Sequence, residues 1–219
     1  MHFTIGCLGR ARHGKGTIST CLKTWFQNQG VPAQIIAFAD PLKDFLTMFV
    51  GRAEPFRGND AQRNAPITEV NWEDLEPNVI EAASRLGMID GATAMHPSGR
   101  QLMQLFGTEV IRAKFCRNAW VRMAGGRAKM FDGVTIVEDV RFPNEAVNTQ
   151  FGGIMDCVIK VTRPGQQLID HPSENAVDEV PLSCIDVSLI NNGSVEDLND
   201  RLVEFITQYW KERCSQAAP

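Results

Sequence analysis

The run Gly9-Arg10-Ala11-Arg12-His13-Gly14-Lys15-Gly16-Thr17 restricts what this chain can fold into more than any other feature. It follows a short apolar run, Phe3-Thr4-Ile5-Gly6-Cys7-Leu8, and precedes Gly16–Gln29, where Ile18, Cys21, Leu22, Trp25 and Phe26 recur at helical spacing. Glycines at this spacing, between a strand and a helix, let backbone N–H groups wrap around a phosphate chain. The helix N-terminus adds its partial positive charge to the same place. A strand that turns directly into a helix in this way opens a parallel sheet with crossover helices.

The rest of the chain continues that alternation. Gly30 stops the first helix, Ala33–Ala39 reads as a buried strand, and Asp40-Pro41 opens an amphipathic helix through Met48. Strand character returns at 134–138, 157–161 and 187–190, and a helix follows from Ser194 through Trp210, with Ser194 and Asp197 spaced as a capping box. Between the second and third strands, 51–66 is polar and rich in Gly, Arg, Asn and Pro, which predicts an irregular, mobile stretch. Helices are expected at 77–86, 98–106 and 120–130. These readings give an α/β class: a three-layer P-loop NTPase fold with a mainly parallel sheet. One domain spans 1–219, with a helical substrate-binding insertion at about 51–131.

In the phosphate loop Gly9, Gly14 and Gly16 leave bare backbone, and Lys15 is placed to reach the β- and γ-phosphates of ATP. Arg10, Arg12 and His13 are expected to add positive charge. The hydroxyl of Thr17 comes one place later than in the commonest form of the motif, where it binds Mg²⁺ directly. Here Thr17 is expected on a phosphate, and Mg²⁺ is expected to be held through water and ATP oxygens without a dedicated set of protein ligands. The Gly-Lys-Gly-Thr ending is similar to that of nucleoside monophosphate kinases of the adenylate kinase type.

Glu138-Asp139-Val140-Arg141-Phe142-Pro143-Asn144-Glu145 lies at the C-terminal end of the third strand, the edge where open α/β sheets bind ligands. Asp139 there can organise a hydrated metal or orient an acceptor, and Arg141 can clamp a phosphate with paired hydrogen bonds. A phosphate monoester has a second pKa of about 6, so as an acceptor it is already anionic and needs no general base. The obstacle is repulsion from ATP, which cations must offset. The chain is acidic overall, with a formal net charge of -4, yet it supplies Arg100, Arg112, Arg117, Arg122 and Arg141 from these segments.

Six segments in order carry a specific resemblance. They are the phosphate loop, Phe38–Lys43, Gly99–Glu109, Asn118–Val121, Asp139–Glu145 and His171–Glu174. Together they resemble the bacteriophage deoxynucleoside monophosphate kinases over nearly the whole chain, with least coverage from Gly51 to Met95. The resemblance implies transfer of the ATP γ-phosphoryl group to a deoxynucleoside monophosphate. Lys15 and Thr17 bind the ATP phosphates, while Arg100, Gln104, Gly107 and Thr108 line the monophosphate pocket, with Trp120 beside base or sugar. Asp139, Arg141 and Glu145 complete the cleft, and Asp40 and Lys43 lie on the acceptor side. His171 and Glu174 are assigned to substrate or a moving lid, and the resemblance leans toward a homodimer.

Two other readings remain open on sequence grounds. A kinase for a sugar or a coenzyme precursor needs a base near a neutral hydroxyl, which Asp40 or Asp139 can supply. A non-catalytic nucleotide-binding regulator keeps Lys15 but has no use for an arginine-rich acceptor pocket. The modest charge argues against a nucleic-acid polymer or an anionic membrane as partner. The six cysteines show no metal-ligand spacing, and no apolar run reaches membrane-spanning length, so a reduced, cytoplasmic protein is expected.

Overall fold

The computed structural model describes residues 2–89, 95–166 and 172–216. Five strands, β1 (His2–Leu8), β2 (Ala33–Ile36), β3 (Gly133–Val140), β4 (Cys157–Thr162) and β5 (Val187–Ile190), form one sheet in the order β2-β3-β1-β4-β5. Each neighbouring pair is parallel. Central β1 is buried at every position after His2, which is why it reads as an unbroken apolar run rather than an alternating one. Helices cover both faces, as the P-loop fold requires.

The helices are α1 (Lys15–Asn28), α2 (Asp40–Val50), α3 (Glu54–Arg57), α4 (Asp60–Asn64), α5 (Pro77–Arg85), α6 (Gly99–Gln104), α7 (Ala119–Met130), α8 (Pro172–Asn175) and α9 (Val195–Gln216). A π-helix, Leu105–Phe115, continues directly from α6. The chain divides into two compact units, one of Met1–Phe38 with Met123–Pro219 and one of Ala39–Arg122. The second unit starts and ends earlier than the insertion expected at 51–131.

In the first unit, α1 and α9 bury Ile18, Leu22, Phe26, Leu198, Leu202 and Ile206 against Phe3, Ile5, Ile136 and Ile159 of the sheet. Each such side chain contributes roughly 1.5–3 kcal/mol when fully buried. Trp210 of α9 sets its ring edge-on to Phe3 and Phe26, with centroids 5.3 and 4.9 Å apart. The expected capping box at the start of α9 forms: Ser194 Oγ accepts from Asp197 N–H, and Asp197 Oδ2 accepts from Ser194 N–H. The six cysteines are free; burial in β1 pushes the Cys7 thiol up to about 12, so it behaves as a small hydrophobe.

The second unit packs around Trp72, Ala82, Ala83, Met88 and Leu105. Three sequence expectations differ from what forms. The stretch 51–66 is not irregular, because it holds α3 and α4, and Asn59 caps α4 reciprocally with Gln62. The second strand ends at Ile36 rather than Ala39. The helix expected to stop near Phe106 runs on to Phe115 as the wider π form, closed by Cys116 N–H donating to Ile111 O at 2.8 Å.

Candidate functional site

The phosphate loop runs from the end of β1 into α1 with the conformation its glycines predict. Gly14 has φ 110°, a left-handed conformation that a side chain resists, and an added Cβ would come 2.8 Å from Asn191 Nδ2. At Gly9 an added Cβ would lie 2.6 Å from the carbonyl oxygen of Val161 in β4. Gly16 has nothing within 4 Å of where a Cβ would be, so the space beside the first turn of α1 is open. Half-buried Thr17 lies in that turn, and Arg12, at φ 62°, is exposed.

Lys15 Nζ donates to the carbonyls of Gly9 and Arg10, both at 2.7 Å, so the ammonium folds over its own loop. Burial, reinforced by the nearby Arg141 guanidinium, pulls its pKa down to about 8, while Glu174 and Asp139 oppose the shift. The loop is less cationic than its composition suggests. His13 is buried, and desolvation, helped by Lys15 and Arg10, holds its imidazole below the ordinary range, which disfavours the cation. Arg10 is paired with Asp178.

Asp139 and Arg141 stand where β3 leaves the sheet. The β1–β3 register slips there: Gly6 pairs with Val137 but Leu8 with Val140, so β3 carries one extra residue around Glu138-Asp139. Such a bulge re-aims side chains at a sheet edge. Asp139 Oδ1 accepts the N–H of Phe38 at 2.7 Å, tying the end of β3 to the end of β2. Glu145 is buried, and its Oε2 accepts the N–H groups of Arg141 and Phe142 at 2.9 and 3.0 Å. It shapes the turn that presents Arg141. Glu174, also buried, bonds the Ala11 N–H of the phosphate loop and the Arg141 guanidinium. His171 lies outside the described residues.

Thus Lys15, Asp139, Arg141, Glu145 and Glu174, distant in sequence, share one end of the first unit's sheet. Sequence reasoning missed two residues that hold this end together. Asn191, after β5, donates to the carbonyl of His13 at 3.0 Å, and Asp178 holds Arg10. A polar residue just past a strand's C-terminal end was the available signal for Asn191. A cavity of about 340 Å³ lies beside the loop, lined by Arg10, His13, Lys160, Thr162 and Arg163 among others.

The second unit holds the remaining candidates. Asp40 and Lys43 occupy the first turn of α2, 3.4 Å apart, and Arg57 of α3 lies 3.7 Å from Asp40 and 2.5 Å from Asp44. Arg57 had not been singled out in the sequence. Arg100 of α6 donates to Asn64 Oδ1 at 2.8 Å and Asp60 Oδ1 at 3.1 Å, with its side chain 54% exposed. Half-buried Gln104 ends α6, and Gly107 and Thr108 lie in the π-helix. Trp120 is buried, and its indole N–H donates to the carbonyl of Gly107 at 3.1 Å. Among the described residues, no group of three or more His, Cys, Asp or Glu side chains could hold a metal ion, and no helix is long and apolar enough to cross a membrane.

Comparison with known proteins adds a separate line. A search of curated proteins returns no match. The family model for deoxynucleotide monophosphate kinase matches residues 88–202, over half of the 219-residue chain. The matched span contains Arg100, Gln104, Gly107, Thr108, Trp120, Asp139, Arg141, Glu145 and Glu174, while the phosphate loop lies outside it. The loop motif and the matched span are therefore separate stretches of sequence that point the same way, and the chain belongs to the deoxynucleotide monophosphate kinase family.

Proposed function

We propose that the protein transfers the γ-phosphoryl group of ATP, with Mg²⁺, to a deoxynucleoside monophosphate, giving ADP and a deoxynucleoside diphosphate. The observation that carries this reading is the grouping of Lys15, Arg141 and a bare-backbone loop at one sheet end, in a chain of this kinase family. Two cations and a ring of backbone N–H groups are what transfer between two phosphates demands, because the barrier lies in charge repulsion. Lys15 moves from the loop carbonyls to the β/γ-phosphates, and Arg141 meets the charge building on the transferred group. His13, buried and with its cationic form disfavoured by desolvation, acts as packing rather than as a cation.

Asp139, a single carboxylate at the bulged end of β3, would hold Mg²⁺ through water rather than within a cage of protein ligands. The metal would, when bound, neutralise charge on the ATP phosphate oxygens. On the acceptor side, Arg100, with Asp40, Lys43, Gln104, Gly107 and Thr108, supplies contacts to the monophosphate. Trp120, with its N–H committed to Gly107, serves by shape.

Release of ADP from ATP-Mg tests the reading when measured with and without each of dGMP, dTMP, dCMP and dAMP. Release that requires a deoxynucleoside monophosphate is expected. Release at the same rate without any acceptor would mean hydrolysis, and the assignment would be dropped.

A further inference from the structure

Glu174 is 5% exposed, so its carboxylate depends on protein donors rather than water. Each oxygen has one. Oε2 accepts the N–H of Ala11 at 2.7 Å, and Oε1 accepts the guanidinium of Arg141. The partners are 163 and 33 residues away and follow different strands, Ala11 after β1 and Arg141 after β3. The same segment grips the loop again four residues on, where Asp178 pairs with Arg10. Between these grips Ala176 and Val177 are buried, which anchors the segment.

We propose that Glu174 is a positioning residue: it locks the Arg141 guanidinium to the phosphate loop, so that an incoming nucleotide meets Arg141 already oriented. The inference rests on the reading of Lys15 and Arg141 as phosphoryl-transfer residues. An unheld arginine samples many rotamers, and a cation stabilises a transition state best when its orientation is fixed beforehand. Arg141 and Lys15 also repel each other. Arg141 lowers the Lys15 pKa while Glu174 raises it, so the carboxylate offsets part of the repulsion between the two cations.

The Glu174→Gln variant probes this directly, because glutamine has one acceptor oxygen where two donors need one each. One donor must then face an N–H. The kcat is expected to fall about tenfold to a hundredfold, with KM for ATP changed less than about threefold. In an Arg141→Ala background, where no guanidinium remains to be positioned, the same change should alter kcat less than about twofold. An equal loss in both backgrounds, or no loss in the wild-type background, overturns the proposal.

Glu174→Asp keeps the charge but is one methylene shorter, so it too must release a donor, and a drop in kcat is expected at a temperature where unfolding curves show the variant fully folded. Wild-type kcat in that variant also counts against the lock. A wild-type protein that makes no diphosphate would be the failure of the functional reading instead. The lock is then judged by the mobility of the Arg141 guanidinium in ¹⁵N relaxation: it should rise in Glu174→Gln, and unchanged mobility overturns it.

Discussion

Two sets of charged residues, one in each unit of this chain, are held in opposite ways. In the first, Glu145 and Glu174 are 2% and 5% exposed and accept backbone N–H groups, so each carboxylate is built into the chain path itself. In the second, the pairs Arg100–Asp60, Arg57–Asp44 and Arg52–Glu69 are side chain to side chain, with every partner 40% exposed or more. Buried carboxylates with fixed donors hold one geometry, whereas exposed pairs exchange with water and contribute little. Under the proposed function, a phosphate loop that must be preorganised and an acceptor region that must admit a nucleotide would call for this difference.

The largest effect should come from the centre of the first unit. Lys15→Ala is expected to lower kcat about a thousandfold without unfolding the protein, since the lysine's partners are carbonyls of its own loop. A variant retaining a tenth of wild-type turnover would remove Lys15 from the mechanism. Next is Glu145→Ala, which strands the N–H groups of Arg141 and Phe142 in a half-buried turn and should cost about 2 kcal/mol of stability, read by denaturant unfolding. A loss under about 1 kcal/mol would mean the two units hold their charges alike.

How much of this was legible in the sequence follows the same division. The strands of the first unit are short, mostly apolar runs, and the phosphate loop is a local motif, so both could be read from neighbours in sequence. The buried grip of Glu174 on Ala11 spans 163 residues and could not be read that way. Nor could the burial of His13, because burial is set by the folded surroundings rather than by residue type. In the second unit, α3 and α4 were hidden by Gly, Pro and Asn, which serve there as caps and first-turn residues instead of marking a loop. The π-helix escaped because its wider turn departs from the 3.6-residue period that apolar spacing reveals.

The pH dependence of donor binding sharpens the comparison further. Lys15 has a pKa of about 8 in the free protein, and bound phosphates favour its charged form and raise it. ATP affinity should therefore be flat below pH 8 and fall toward tenfold per pH unit above it, with proton uptake on binding. Calorimetry in buffers of different ionisation enthalpy measures that uptake. Affinity that stays constant to pH 9.5 would mean Lys15 is not desolvated in solution. The smallest effect on stability belongs to the second unit: Arg100→Ala should change it by less than about 1 kcal/mol while raising KM for the acceptor about tenfold. A large stability loss would show that the exposed pairs matter structurally.

The most direct test follows the transferred phosphoryl group itself. Wild-type protein and the Lys15→Ala variant would be incubated with γ-labelled ATP, Mg²⁺ and each of dGMP, dTMP, dCMP, dAMP and GMP, and the products separated. Label appearing in a deoxynucleoside diphosphate, in step with ADP and absent with Lys15→Ala, is the expected result. Label recovered only as inorganic phosphate, or retained in ATP with every acceptor, would contradict the account.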